Sequence, residues 1–389
     1  MNGDAELKQE QRSAVGTLFF NCAAVLSEHT STLANLESLA SEWLRVSAFS
    51  VVSKKQVPPS GDPHDYVSMA AYSWPDPLKP DGLPYVGRDG EVNPEFYEYD
   101  SSALEGLCSA VPHLVLYALA ADSSRHAEQA GRLLRSWFLD PATRMNPHLN
   151  YAQFIPGVTT GRFIGIIDTT SFVFLLEAIK CLSFNPEWTP EHLAALKNWF
   201  SSYLDWLLES SFGPQERDMT NNHGTWYDAQ VASCAVFCGR PGIARQQIQT
   251  YTIPRILRQI EPDGTQPREL ARTLSLTYTT YNLLALASLA MIARDLRIDL
   301  WAEAGPAQGR LLKALDWMEP YYAGRQEWDK KQIHPFNMSS VAPLLYLAWL
   351  GTGDARFMKL CAHVETNPWQ RFVFSKSALT GRTYPLRSV

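Results

Sequence analysis

Apolar residues recur three and four apart through most of this chain, and that periodicity confines it to an architecture of helix packed on helix. It is clearest in HAEQAGRLLRSWFL (126–139), TTSFVFLLEAIKCLSF (169–184), TPEHLAALKNWFSSYLDWLLESS (189–211), TYNLLALASLAMIARDLRI (280–298) and PAQGRLLKALDWMEPYY (306–322). Start signals agree with the periodicity: Thr189, Pro190 and Glu191 form a cap with proline at the first helical position. About a dozen helices are expected, joined by short polar turns, with almost no strand-like alternation and no Gly-, Ser- or Pro-rich linker between domains. Helical hairpins laid side by side suit that pattern, and the lack of a fixed-period repeat argues against the standard solenoid families. The expected fold is all-α: an α/α toroid, or incomplete α/α barrel, of about six or seven hairpins forming one domain over residues 1–389.

One stretch breaks the helical rhythm. From Val57 to Tyr99 the chain carries seven prolines in its first thirty residues, with turn signals throughout. A loop this long inside a compact domain is usually functional. Its aromatic and polar residues, His64, Tyr66, Tyr72, Trp74 and Arg88, make it a candidate wall or lid over a cleft; a packed surface excursion is the alternative.

Composition narrows the ligand. Aromatic residues make up 12% of the chain, with 12 Trp, 16 Tyr and 17 Phe, an excess suited to stacking flat ligand faces such as sugar rings. With 34 Lys plus Arg against 40 Asp plus Glu, the net charge is −6, so no nucleic-acid partner is expected and an anionic ligand needs a local basic cleft. No membrane partner is expected either, because no apolar run approaches the roughly 20 residues that span a bilayer. The N-terminal MNGDAELKQEQRSAV is polar and lacks a secretory signal. The six cysteines are scattered without a CxxC pair; Cys234 and Cys238 lie one turn apart but read as small buried hydrophobes, and no metal site is expected.

Polar constellations stand where the helices break. NYAQFIPGVTTGRFIGIID offers Asn150, Tyr151, Gln153, Arg162 and Asp168, with glycines that permit close backbone approach. NNHGTWYD contains Asn221, Asn222 and His223, and its amides also suit a helix N-cap. DGTQPRELARTLSLTYTTYN supplies Arg268, Glu269, Arg272, Tyr278 and Tyr281. Arg272 and Tyr278 are six apart, so they can meet at one ligand only if a helix starts after the arginine. There is no GxSxG elbow, no HExxH, no phosphate loop and no dinucleotide fingerprint. An Asn-His pair, an arginine and a tyrosine beside aromatic platforms fit abstraction of a carbon-bound proton next to a carboxylate. The carboxylate must be neutralised by donors acting as an oxyanion hole does, and a tyrosine can take the proton if a nearby cation lowers its pKa from about 10.

NNHGTWYD and the downstream ELAR…Tyr strongly resemble the alginate lyase superfamily. The loop segment HDYVSMAAYSWPDPLKPDGLPYVGRDGEVNPE and NYAQFIPG..GR..GIID are similar to its glucuronan lyase branch, a likeness running from about Val57 to Leu283. The resemblance implies an α/α toroid in which Asn222 and His223 neutralise the substrate carboxylate, Tyr278 is catalytic base and acid, and Arg272 supports it. One departure stands: the family's tyrosine follows the ELAR arginine by seven, whereas here Tyr278 follows by six and Tyr281 by nine, so either is a candidate.

The expected activity is an endo-acting, cofactor-independent polysaccharide lyase cutting β-1,4-linked uronan. In glucuronate or mannuronate the C5 proton and C4 oxygen share one ring face, so a single tyrosine suffices; guluronate needs a second group, for which His223 is available. The expected partner is an anionic polysaccharide, held by the catalytic four together with His64, Tyr66, Tyr72, Trp74, Arg88, Gln153, Arg162, Asn221, Arg268 and Tyr281. Trp226 and Tyr227 are expected to support the loop rather than touch the sugar. A monomer is expected. The substrate implies an extracellular or periplasmic location with the signal already removed, a cytoplasmic one staying open. The alternatives are an inverting glycoside hydrolase using Asp76 and Asp168 across the same toroid, or a helical scaffold that binds polysaccharide without turnover.

Overall fold

The computed structural model describes residues 17–19, 30–185, 187–302, 304–367 and 371–372; the N-terminal MNGDAELKQEQRSAV and Cys22 lie outside the described residues. The first half holds α1 (Thr30–Trp43), α2 (Asp100–Ala121), α3 (Ser124–Leu134), α4 (Phe172–Cys181), α5 (Pro190–Glu209) and α6 (Phe212–Arg217). The second holds α7 (Asn222–Phe237), α8 (Pro241–Gln247), α9 (Ile253–Gln259), α10 (Pro267–Leu270), α11 (Ser275–Asp295), α12 (Arg310–Tyr322), α13 (Ala342–Thr352) and α14 (Ala355–Val364).

Two kinds of helix alternate. Nearly every residue of α4, α7 and α11 is buried, as is most of α2 and α13, so these form an inner series in which α2 packs on α4, α4 on α7, α7 on α11 and α11 on α13. Helices α3, α5, α12 and α14 bury one stripe only and cover the inner series from outside. The result is the α/α toroid. Two helices, α2 and α11, are long and apolar enough to span a bilayer, which corrects the sequence expectation; 78% and 100% of their apolar windows are buried against other helices, so they serve as core.

The long loop is more ordered than its composition implies. Strand β1 (Val67–Met69) runs parallel to β4 (Tyr151–Phe154), and β2 (Ser73–Trp74) pairs antiparallel with β3 (Val86–Gly87). Strands of two to four residues are too short to leave an alternating pattern. They fix the segment after α1 against the segment before α4, which places the loop over one end of the inner helices.

Candidate active site

At that end lies a cleft of about 180 Å³ lined by Ala71, Tyr72, Gln153, Arg162, Ile164, Ile167, Asn222, His223, Arg272, Tyr278 and Tyr281. Four constellations scattered over two hundred residues of sequence therefore meet in one place. The lining carries two guanidinium groups and an imidazole, and among the described residues no carboxylate.

Arg272 and Tyr278 meet because the helix begins between them. Arg272 sits in the gap after α10, and α11 opens at Ser275. The guanidinium carbon lies 3.8 Å from the centroid of the Tyr278 ring, a close cation–π contact. Asp89, on the loop after β3, accepts from Arg272 Nη2 at 2.6 Å and Nε at 3.3 Å and holds the guanidinium there. Burial works against the charge on Arg272, but the Tyr278 oxygen and the Asp89 carboxylate outweigh it and raise its pKa. The Tyr278 hydroxyl lies 2.8 Å from that of Tyr72. Tyr281, one turn deeper, shares a hydrogen bond of 3.0 Å with Thr170 Oγ1 and packs on Trp226 at 4.8 Å.

The Asn-His pair occupies the first turn of α7. Asn221 is the N-cap, its side chain accepting from the His223 N–H at 3.3 Å. Buried Glu269 accepts from the Asn222 N–H at 2.6 Å and from Nδ2 at 2.8 Å, which fixes the amide. Burial raises the pKa of Glu269, and the two Asn222 donors pull against that shift. His223 Nδ1 lies 2.7 Å from Oε1 of Glu216, a wholly buried side chain on α6; with Nδ1 so engaged, Nε2 is left for the cleft. The glycine in NNHG is required by packing: a Cβ at Gly224 would collide with the Arg255 guanidinium and the Met219 carbonyl. Trp226 and Tyr227 are buried in the helix packing, and the Tyr227 hydroxyl donates to Leu207 O at 2.7 Å.

On the opposite wall, Gln153 has a left-handed backbone, φ 51°, which costs free energy for a residue with a Cβ and is held by its neighbours. Its N–H donates to Ser68 Oγ, its Nε2 to Asp168 at 2.9 Å, and its two oxygens accept from Arg162. Burial lowers the pKa of Arg162, with Asp168 and Glu216 opposing that effect. Gly161 lets this segment pass against the Asn150 carbonyl, where a Cβ would not fit.

Other expected binding residues lie elsewhere. Tyr66 is fully buried and donates to Asp168 at 3.2 Å, so it supports the wall from behind and cannot touch a polymer. His64 pins the long loop to the Arg144 carbonyl, 2.6 Å from its Nδ1. Trp74 and Arg88 stack on each other at 5.1 Å on the β2–β3 hairpin, outside the cleft lining. Asn221 acts as a cap, and Arg268 lines a neighbouring cavity. The hydrolase alternative fails on geometry: Asp168 is buried and accepts from Tyr66, Ser68 and Gln153, while Asp76 accepts from Leu78 N–H within a loop turn, and neither lines the cleft. Glu216 escaped sequence reasoning because an isolated acid outside any motif carries no signal there, and Asp89, although inside the quoted loop segment beside Arg88, shows its link to Arg272 only in three dimensions. Glu269 stood in the ELAR run, but its grip on Asn222 is visible only in three dimensions. Among the described residues no cluster of His, Cys, Asp and Glu could hold a metal ion, and Cys234 is buried, its thiol pushed up in pKa by desolvation.

The comparisons agree with this architecture. A model of the alginate lyase family matches residues 50–328. An alginate lyase from Bacteroides ovatus is 32% identical and superposes with a TM-score of 0.83, covering 96% of this chain and 97% of that one. Alginate lyase A1-III from Sphingomonas species A1 is 14% identical with a TM-score of 0.52, over 85% of this chain and 88% of that one, and shares the fold. No curated protein sequence matches. The family match spans well over half the chain and includes the whole cleft: this protein belongs to the alginate lyase family of polysaccharide lyases.

Proposed function

We propose that this enzyme cleaves β-1,4-linked glucuronan, and mannuronate-rich alginate as a second substrate, by syn β-elimination within the chain. The observation that carries the reading is the placement of Tyr278 under the Arg272 guanidinium and beside the Tyr72 hydroxyl, in the same cleft as Asn222 and His223. Arg272 stabilises a Tyr278 phenolate electrostatically, and Tyr72 donates to it. The phenolate takes the C5 proton, the electron pair forms the C4–C5 double bond, the C4–O4 bond breaks, and Tyr278 returns the proton to O4. Meanwhile Asn222, His223 and Arg162 hold the C6 carboxylate, helped by the positive end of α7. For His223 to donate from Nε2 while Nδ1 donates to Glu216, both nitrogens carry protons, and Glu216 balances the charge. That arrangement leaves His223 without a lone pair for the opposite ring face, which favours glucuronate and mannuronate over guluronate.

Tyr278 is preferred to Tyr281 as base because the Arg272 guanidinium lies over the Tyr278 ring, whereas the Tyr281 hydroxyl is engaged by Thr170. A polymer substrate of this kind supports an extracellular or periplasmic site of action and a protein working as a monomer. The test is ultraviolet detection of unsaturated products from glucuronan, polymannuronate, polyguluronate and hyaluronan, with product sizing to establish internal cleavage. Glucuronan is expected to react fastest and polyguluronate slowest; the reverse order would overturn the substrate assignment. Tyr278→Phe is expected to lower kcat by about a thousand-fold or more while polymer binding persists. Substantial activity in that variant would move the role to Tyr281.

A further inference from the structure

A second cavity, of about 250 Å³, shares the Thr220–His223 turn with the catalytic cleft but none of its lining residues. Thr220 lines this cavity, while Asn222 and His223, two and three residues further on, line the cleft. Four arginines face it: Arg217, Arg255, Arg258 and Arg268. Two of them are already neutralised. Arg217 pairs with Asp218 at 2.8 Å, and Arg255 with buried Asp228 at 2.8 Å. Arg258 and Arg268 are exposed and have no acidic partner among the described residues; Arg268 donates only to the Thr220 hydroxyl, at 2.8 Å. The half-buried Tyr251 adds an aromatic wall, with the Arg217 guanidinium 4.6 Å from its ring centroid.

Two uncompensated guanidinium groups beside an aromatic ring and a hydroxyl suit a sugar carboxylate: the charge is met by arginine forks and the ring by the aromatic face. We propose that this cavity is a second uronate-binding site, which holds a sugar of the same polymer beyond the one being cleaved. The proposal rests on the uronan reading of the cleft. It gives Arg268 a place that the cleft itself does not, and it makes affinity depend on chain length, since only a chain reaching past the turn engages both sites.

The experiment is calorimetric titration of glucuronan and of its disaccharide into the Tyr278→Phe protein, with and without Arg258→Ala. Loss of Arg258 is expected to weaken polymer binding about five-fold, the scale of one partly exposed ion pair, and to change disaccharide binding by less than about two-fold. Arg258→Lys, which keeps the charge and loses the fork, is expected to restore only part of the difference. Equal polymer affinity with and without Arg258, or equal losses for polymer and disaccharide, would overturn the proposal. Absence of ultraviolet product from the unmodified enzyme on every uronan would strike the lyase reading instead, and this binding comparison would still stand.

Discussion

Tyr278 has a catalytic environment only because the backbone stops being helical at Arg272. On one continuous helix the two side chains would diverge by about 120°; the break before Ser275 brings the guanidinium to 3.8 Å from the ring. That condition could be read from the spacing, whereas the packing that requires glycine at position 224 could not. Glu216 could not be read, because nothing in a sequence distinguishes an acid seven residues before a histidine from a solvated one. Yet it is wholly buried and bonded to His223 Nδ1. Its second oxygen has no hydrogen-bond partner among the described residues, so its task is directed at the imidazole rather than at general packing. Glu216→Gln preserves size but removes the negative charge that balances a His223 protonated at both nitrogens, so the ring meets the substrate carboxylate without its positive charge. We expect kcat/KM to fall by about ten-fold or more with the thermal midpoint little changed. A variant with full kcat/KM would show that the charge on His223 does not depend on Glu216.

Among the elements, the helices were legible and the loop only partly so. Helix α5 begins at Pro190 as its cap predicts, and α11 follows its periodicity, whereas α12 starts later than its apolar pattern suggests because Gly309 takes a left-handed conformation, φ 64°. The small strands of the loop were invisible because β2 and β3 hold two residues each and β1 pairs with β4 far along the chain, so neither pairing leaves a local trace. The loop's link to chemistry is Asp89, which bonds Arg272 and also accepts from the Thr273 N–H and hydroxyl. Burial alone would raise the Asp89 pKa, but Arg272 and Thr273 hold it below the ordinary carboxylate range. Asp89→Ala removes the tether while leaving the helices intact. Turnover is expected to drop about ten-fold as Arg272 loses its orientation, with little change in stability because the pair is partly exposed; unaltered turnover would mean that the cation–π contact holds Arg272 without help. A second element-scale link is the buried Arg255–Asp228 pair, in which Arg255 also donates to the carbonyls of Arg217 and Met219 and so ties the segment before α7 to α9. Arg255→Ala leaves a buried carboxylate unpaired and is expected to cost about 3–5 kcal/mol in urea denaturation. A loss below about 1 kcal/mol would contradict that account.

For the whole molecule, the constraint is that an inner series of helices has almost no surface of its own, so any group placed there must be uncharged or paired. The apolar pattern made this series legible; a lone polar residue within it was not. His113, in the middle of α2 beside Pro112, is 7% exposed. Its Nδ1 donates to the Ser109 carbonyl at 2.7 Å, and its Nε2 has no partner among the described residues. Desolvation lowers its pKa from 6.5 to about 4, against the pull of the Ser109 bond. The sign of the pH effect follows from proton counting. Above 6.5 the ring is neutral in both folded and unfolded chains and pH has no effect through it. Between 6.5 and about 4 the unfolded chain takes up a proton that the folded chain refuses, so stability falls as pH falls. Below about 4 both forms are charged and the loss levels off, at about 3 kcal/mol in all. His113→Leu keeps the helix packed and removes the titration. Its urea stability is expected to decline less between pH 7 and pH 4 than that of the unmodified chain, by about that amount. Parallel curves for the two proteins would mean that α2 opens to admit water at His113 before the ring is charged.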